Sequence, residues 1–324
     1  MGVTFTSVIN SILLQKPFFA VKINFDGDEG GSEVIKEAGE RIRAIVVYTN
    51  NLNDRIRDAE IELKLSGEVL DKTSVSVSDG FYQSNTNTIV WNQSTNTSFD
   101  ELRPRTNKET QFTFAPKPLG TKTSLIKNPE IIFDLKLTGI RVSENDVEEK
   151  IETEIIKHIK FTSDVTFDSS IYYGTGPFAN TGPIPPKAEK DTEYTVTWTI
   201  SNTSNNFEDG RITASLPTYV KWNNKISPDG ANIIFDPQTR QITWDVGSVP
   251  AGAGYGTSPA RSASFQVTLT PSISQIHSSP LLITNQLFEA RDTFTNTGIE
   301  EATQDDTIRP EDLSRSLDAD KVVE

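Results

Sequence analysis

The chain contains no cysteine, which excludes disulfide staples, thiolate nucleophiles and thiolate-held metals together. It has only two histidines, His158 and His277, so imidazole acid–base chemistry has little to draw on. No Gly-x-Ser-x-Gly elbow offers a serine nucleophile, and no spacing of acidic residues singles out a glycosidase pair. An enzyme is therefore not expected. Positive charge is also scarce: 31 Lys and Arg face 45 Asp and Glu, a net charge of −14. Nucleic acid is not an expected partner, because it needs a basic footprint. Long apolar runs are missing too. The stretch 8–21 near the start is broken by Asn10, Ser11, Gln15, Lys16 and Pro17, short of the roughly 20 apolar residues a membrane helix needs. It has no basic start or small-residue cleavage site, so neither a signal peptide nor a transmembrane segment is expected within this chain. Met1-Gly2-Val3-Thr4-Phe5-Thr6 fits the myristoylation pattern in form, but a pattern this short matches by chance.

What is present is strand pattern. In the run from Tyr194 to Ser201, Tyr194, Val196, Trp198 and Ile200 alternate with Thr195, Thr197, Thr199 and Ser201. Period two places the first set on a dry face and the second on a wet one. Similar runs lie at 42–49, 60–65, 88–91, 111–114, 131–137, 211–216, 232–235, 241–246, 264–269 and 281–288, punctuated by turn formers such as Ser78-Asp79-Gly80 and Pro228-Asp229-Gly230. The segment 144–160 favours a hairpin and a long strand bearing Thr153, Ile155, Ile159 and Phe161; a helix using Ile151, Ile155 and Ile156 is the alternative.

The runs repeat. Ile42, Ala44, Val46 and Tyr48 return 152 positions later as Tyr194, Val196, Trp198 and Ile200, and Asn50 returns as Asn202. The stretch 58–65 meets 209–216, and Ile89-Val90-Trp91 meets Ile242-Thr243-Trp244. Phe112 and Phe114 align with Val267 and Leu269 at an offset of 155. Face parity is kept throughout, as a duplicated unit requires. The expected fold is all-β: two tandem Ig-like antiparallel sandwiches, over 1–163 and 164–303. The acidic remainder, 304–324, is expected to be a disordered tail. The Pro-rich run 182–186 is expected to cross along a sheet edge as domain two opens, with 25–37 as its counterpart.

Domain two carries a resemblance. Gly182-Pro183-Ile184-Pro185-Pro186 leads to Thr195-Val196-Thr197-Trp198, then Ser215-Leu216-Pro217, Phe235-Asp236-Pro237-Gln238-Thr239, Thr243-Trp244-Asp245-Val246-Gly247 and Asp292-Thr293-Phe294-Thr295. This resembles the Ig-like repeat of unknown function in bacterial surface proteins, in particular the large membrane-associated proteins of candidate-phyla bacteria. The resemblance covers 164–303 and implies an extracellular, multi-domain, membrane-anchored parent. It supplies no catalytic residues.

The candidate sites are few. Tyr219 and Trp222 stand together near a loop and are the candidate ligand-binding aromatics; Trp91, Trp198 and Trp244 read as core. Asp26, Asp28 and Glu29 resemble the start of a calcium loop without its later bidentate Glu, and a solvated acidic turn is the plainer reading. Calcium is the one cofactor to consider. Lys22, Lys64 and Lys136 could point inward to form an amide crosslink, with an exposed lysine as the default. Asn92, Asn96 and Asn202 head glycosylation sequons that read as coincidence. The expected function is a non-enzymatic cell-surface spacer, scaffold or adhesion module. Its partners would be other surface proteins, glycans and neighbouring domains of the same parent chain. The alternatives are a calcium-assisted carbohydrate-binding module and a virion or appendage structural protein.

Overall fold

The computed structural model describes residues 17–28, 30–120, 125–313 and 320–324. The Met1-Gly2 pattern and Glu29 lie outside them. The described chain is all-β and divides into two compact units. The first holds 1–34, 40–116 and 131–158; the second holds 35–39, 117–130 and 159–324. The passage into the second unit at Ile159 thus falls near the boundary read at 163. The short segments 35–39 and 117–130 depart from that reading: they group with the second unit, where Asn128 N–H donates to Ser204 O at 3.3 Å.

The first eleven strands are β1 (Phe19–Phe25), β2 (Glu33–Lys36), β3 (Ile42–Asn50), β4 (Arg55–Ser66), β5 (Leu70–Val77), β6 (Phe81–Gln83), β7 (Thr88–Trp91), β8 (Glu101–Leu102), β9 (Asn107–Pro116), β10 (Glu130–Val142) and β11 (Glu148–Phe161). One sheet runs β1-β3-β9-β5 and the other β2-β11-β10-β4-β7-β6, with β8 beside β4. The next ten are β12 (Val165–Tyr172), β13 (Thr192–Asn202), β14 (Phe207–Ser215), β15 (Val220–Ser227), β16 (Asn232–Asp236), β17 (Gln241–Val249), β18 (Arg261–Leu269), β19 (Leu281–Asp292), β20 (Thr297–Ala302) and β21 (Asp306–Thr307). Their sheets run β12-β13-β18-β15 and β16-β17-β14-β19-β20, with β21 also on β19. In chain order the first of these is A-B-E-D and the core of the second is C-F-G, the immunoglobulin arrangement. The β11 segment is strand, so the hairpin reading of 144–160 holds and the helix does not.

Apart from β2, β8 and β21, the two sets of sheets correspond strand for strand, and their registers align them residue by residue. Ala44 pairs with Phe112, and Val196, 152 positions after Ala44, pairs with Phe265. Phe112 therefore matches Phe265, not Val267: the true offset is 153, and the sequence alignment had slipped by two. A two-residue slip preserves which face each side chain occupies, so alternation alone cannot detect it. Trp91 stands opposite Ile61, and Trp244 opposite Ile212, 151 positions after Ile61. Both tryptophans are buried, at 0% and 6% exposure. Asp58 and Asp209 both take positive φ, 49° and 58°, marking the same bulge in β4 and β14.

The inner faces fill each sandwich. In the first unit Phe25, Phe112, Phe114 and Phe133 form one aromatic cluster, with Phe25–Phe133 centroids 4.7 Å apart. In the second, Trp198 meets Phe265 edge-on at 4.8 Å. The Pro-rich run 182–186 lies between β12 and β13; β12 itself opens the unit. The tail expected to lack order instead closes the second unit in part. Ile308 and Val322 are fully buried, β21 pairs with β19, and Asp312 accepts N–H bonds from Tyr173, Gly174 and Thr175 at 2.6–3.0 Å. Acidic composition hid the two apolar anchors on which this segment folds back.

Candidate functional site

Register lines up the outward-facing positions of the two units. Phe81 on β6 pairs with Val90, and Ile234 on β16 pairs with Thr243, each 153 positions further on. Both are large apolar side chains in the open, at 60% and 63% exposure. Both sit on the terminal strand of their sheet, beyond which no further strand pairs among the described residues. Sequence reasoning missed this pair, although Phe81 follows the Asp-Gly turn it had marked and Ile234 lies in a strand it had found.

From those edges a row of side chains crosses each outer face. In the first unit it runs Phe81, Val90, Glu62, Lys136, and ends in the Lys136–Glu152 ion pair at 3.2 Å. In the second it runs Ile234, Thr243, Thr213, Leu287, Ala302, without a charge. The neighbouring row of the second unit, Asn232, Asp245, Arg211, Glu289 and Glu300, is charged. The uncharged row is thus a stripe, not a general property of the face.

Tyr219 lies just before β15, another edge strand, and Trp222 within it, and both are partly exposed. Trp222 is stacked on Phe235 at 5.8 Å and tilted against Phe265 at 5.2 Å, so much of its ring packs on the core. Arg240 lies over the Phe235 ring and donates to Leu216 O and Pro217 O, fixing the approach to β15. Burial pushes the Tyr219 hydroxyl's pKa up. Asp26 accepts the Arg43 N–H at 2.9 Å, and Asp28 accepts the Gly30 N–H at 2.8 Å. Each oxygen so used organises the turn itself. Among the described residues no group of three or more acidic or imidazole side chains is placed to hold a metal ion. Lys22 and Lys64 point outward, and Lys136 is paired as above. The Asn202 amide is fully buried, with Nδ2 donating to Asn205 O at 2.6 Å, which leaves no room for a glycan there.

A cavity of about 880 Å³ opens on the second unit, lined by Asp168, Ser169, Asp305, Asp306, Arg309 and Glu311 among others. Asp306 is one of its lining residues. Burial, opposed by hydrogen bonds from Ser169 and Gln286, pushes its carboxyl up to about 6. Among the described residues no helix is long and apolar enough to cross a membrane.

Comparison with known protein families and with curated proteins finds no match. Among solved structures, the chain is similar to one described as BspA_C_mut, at 10% identity and a TM-score of 0.28, over 91% of this chain and 100% of that one. It is similar to BcpA, the major pilin subunit of Bacillus cereus, at 9% identity and a TM-score of 0.29, over 94% and 68%. A third is the serine-rich repeat protein Srr2 from Streptococcus agalactiae, at 14% identity and a TM-score of 0.23, over 92% and 94%. Scores this low carry nothing over from those proteins to this one.

Proposed function

We propose that this chain is a non-enzymatic module of a larger cell-surface protein, serving as spacer, scaffold or adhesion unit and making its contacts through sheet edges. The observation that carries this reading is the repeated edge: two copies of one sandwich each place a large apolar side chain, Phe81 or Ile234, at the same outward position of the terminal strand. An open strand edge with an apolar anchor is what an added strand from a partner recognises, backbone bonds giving affinity and the side chain giving register. The partner class is an extended segment of another surface protein. The acidic chain, at −14, keeps the unengaged module soluble.

The test places a photo-crosslinking residue at position 81 or 234 of the full chain on the producing cell and identifies what is captured. One surface protein, captured from both positions and lost when unlabelled wild type but not F81D/I234D competes, supports the reading. Equal competition by the double variant overturns it.

A glycan-binding role keeps one observation in its favour, the partial exposure of Tyr219 and Trp222 on one edge strand. Calorimetric titration with a glycan panel, with and without calcium, tests that role and the Asp26–Asp28 turn together. Heat with a glycan that vanishes in W222A would establish it; calcium dependence lost in D26N/D28N would add the cation.

A further inference from the structure

The core of the second unit contains a polar quartet where the first unit is apolar. Ser169 stands directly opposite Trp198 in the β12–β13 ladder, as Ile23 stands opposite Val46 in β1–β3. Gln286 on β19 occupies the position of Leu135 on β10. Ile23, Val46 and Leu135 are all buried. Polar groups in such a place cost stability unless fully paired, and here Gln286 Nε2 donates to Gln304 O at 2.8 Å while the other bonds run among the four in a particular order. Trp198 Nε1–H donates to Gln286 Oε1 at 2.7 Å. Gln286 Nε2 donates to Asp306 Oδ2 at 3.0 Å, and Ser169 Oγ donates to the same oxygen at 2.5 Å.

This is the layout of an acyl transfer. A hydroxyl and an amide nitrogen share one carboxylate oxygen, and the amide's carbonyl oxygen already rests on a buried N–H donor. We propose that Ser169 and Gln286 become joined by an ester, formed by the protein on itself with release of ammonia. Asp306 takes the hydroxyl proton as Ser169 Oγ bonds to Gln286 Cδ. The negative charge then developing on Oε1 is held by Trp198 Nε1–H. Asp306 returns the proton to Nε2, the Cδ–Nε2 bond breaks, and ammonia leaves through the cavity that Ser169 and Asp306 line. The electron pair of the broken bond departs with nitrogen, so no oxidant, metal or cofactor is required. Gln286 is 2% exposed, which keeps water from competing at its carbonyl. A carboxyl raised toward neutrality by burial, with Asp168 and Asp305 nearby, exchanges protons readily in both directions. The bond would tie β12 of one sheet to β19 of the other. It stands independently of any adhesive role.

The test is the intact mass of the purified full chain, followed by peptide mapping. The expected result is a chain lighter than its sequence by one ammonia, about 17 Da, with the peptides holding Ser169 and Gln286 recovered as one species that hydroxylamine separates. S169A and D306N, each a small change at a half-buried position, are expected at full mass with an unchanged far-ultraviolet spectrum. W198F, which keeps a ring but loses the N–H, is expected to slow formation about 100-fold. A wild-type chain at full mass after prolonged incubation overturns the proposal. So does a mass deficit that persists in S169A, because that deficit belongs to asparagine cyclisation.

Discussion

The corner where the second and third core strands meet is built twice, with opposite charge. In the first unit Asp54 accepts from Arg141, with Nε and an NH₂ nitrogen both 2.7 Å from Oδ2. In the second, 151 positions on, Asn205 stands for Asp54 and Asp292 for Arg141, and Asn205 Nδ2 donates to Asp292 Oδ2 at 2.7 Å. The register confirms the match, since Arg141 faces Ile56 and Asp292 faces Phe207. Above each pair sits the same asparagine: Asn50 Nδ2 donates to Asp54 O, Leu102 O and Arg103 O, and Asn202 Nδ2 to Asn205 O, Val249 O and Pro250 O. The difference lies in how charge is met. The first pair is part-exposed and uses a cation. Asp292 is fully buried and uses backbone N–H groups of Phe294 and Thr295, at 2.9 and 3.1 Å. What persists between the copies is a junction between two strands; the chemistry that makes it is free to change.

That correspondence can be broken or sharpened by paired substitutions. The largest effect is expected at Phe112 and Phe265. If they are true equivalents, F112A and F265A should each cost about 4 kcal/mol of their own unit's stability, read from the two unfolding transitions in denaturant. If V267A instead matches F112A while F265A costs little, the 153 offset is wrong. Next comes D292A, which removes the acceptor of one Asn205 amide hydrogen and of the backbone N–H groups of Ser163, Phe294 and Thr295 and should cost about 3 kcal/mol in the second unit. R141A, at the same position of the more solvated corner, should cost clearly less. Equal losses would show that burial does not separate the two junctions. The smallest effect is in pH dependence. A carboxyl raised in the folded state favours folding at low pH, so the Asp306 contribution is full below about pH 4 and is lost as pH rises through about 6. Between those limits the second unit should lose about 2 kcal/mol, screening by the cavity's solvent having reduced the figure, and D306N should flatten that slope. Among the described residues the first unit has no strand matching β21, on which Asp306 lies. A parallel fall in D306N would assign the slope to other groups.

Reading the sequence recovered the parts of the fold that period two controls. Central strands such as β13 announce themselves because both their faces are constrained, one by the core and one by water. Edge strands are less constrained: β15 begins with alternation at Val220 and Trp222 and then gives way to Asn223 and Asn224. Its aromatic therefore looked like a loop residue open to ligand, when Phe235 and Phe265 hold it. Register was invisible for the reason that alternation was visible, since a shift of two leaves every face unchanged. The polar quartet was equally hidden. Ser169, Trp198, Gln286 and Asp306 lie on four strands and only pairing brings them together. One signal was available in advance: Gln286 shares the alternating face of Phe288, so period two already placed it inward.

The way the second unit is closed bears on how it can be excised. A fragment ended at 303, where composition turns acidic, would keep the strands of the sandwich through β20 while losing its clasp. Gone would be the carboxylate of Asp312 seated on three amides, the Ile308 plug, and the paired backbone of Val322 and Val323 against Ser278, Pro186 and Ala188. The β12 margin and the underside of the proline-rich loop would then be laid bare to water. Anyone cutting out this module for crystallisation or display should keep the segment through Val323.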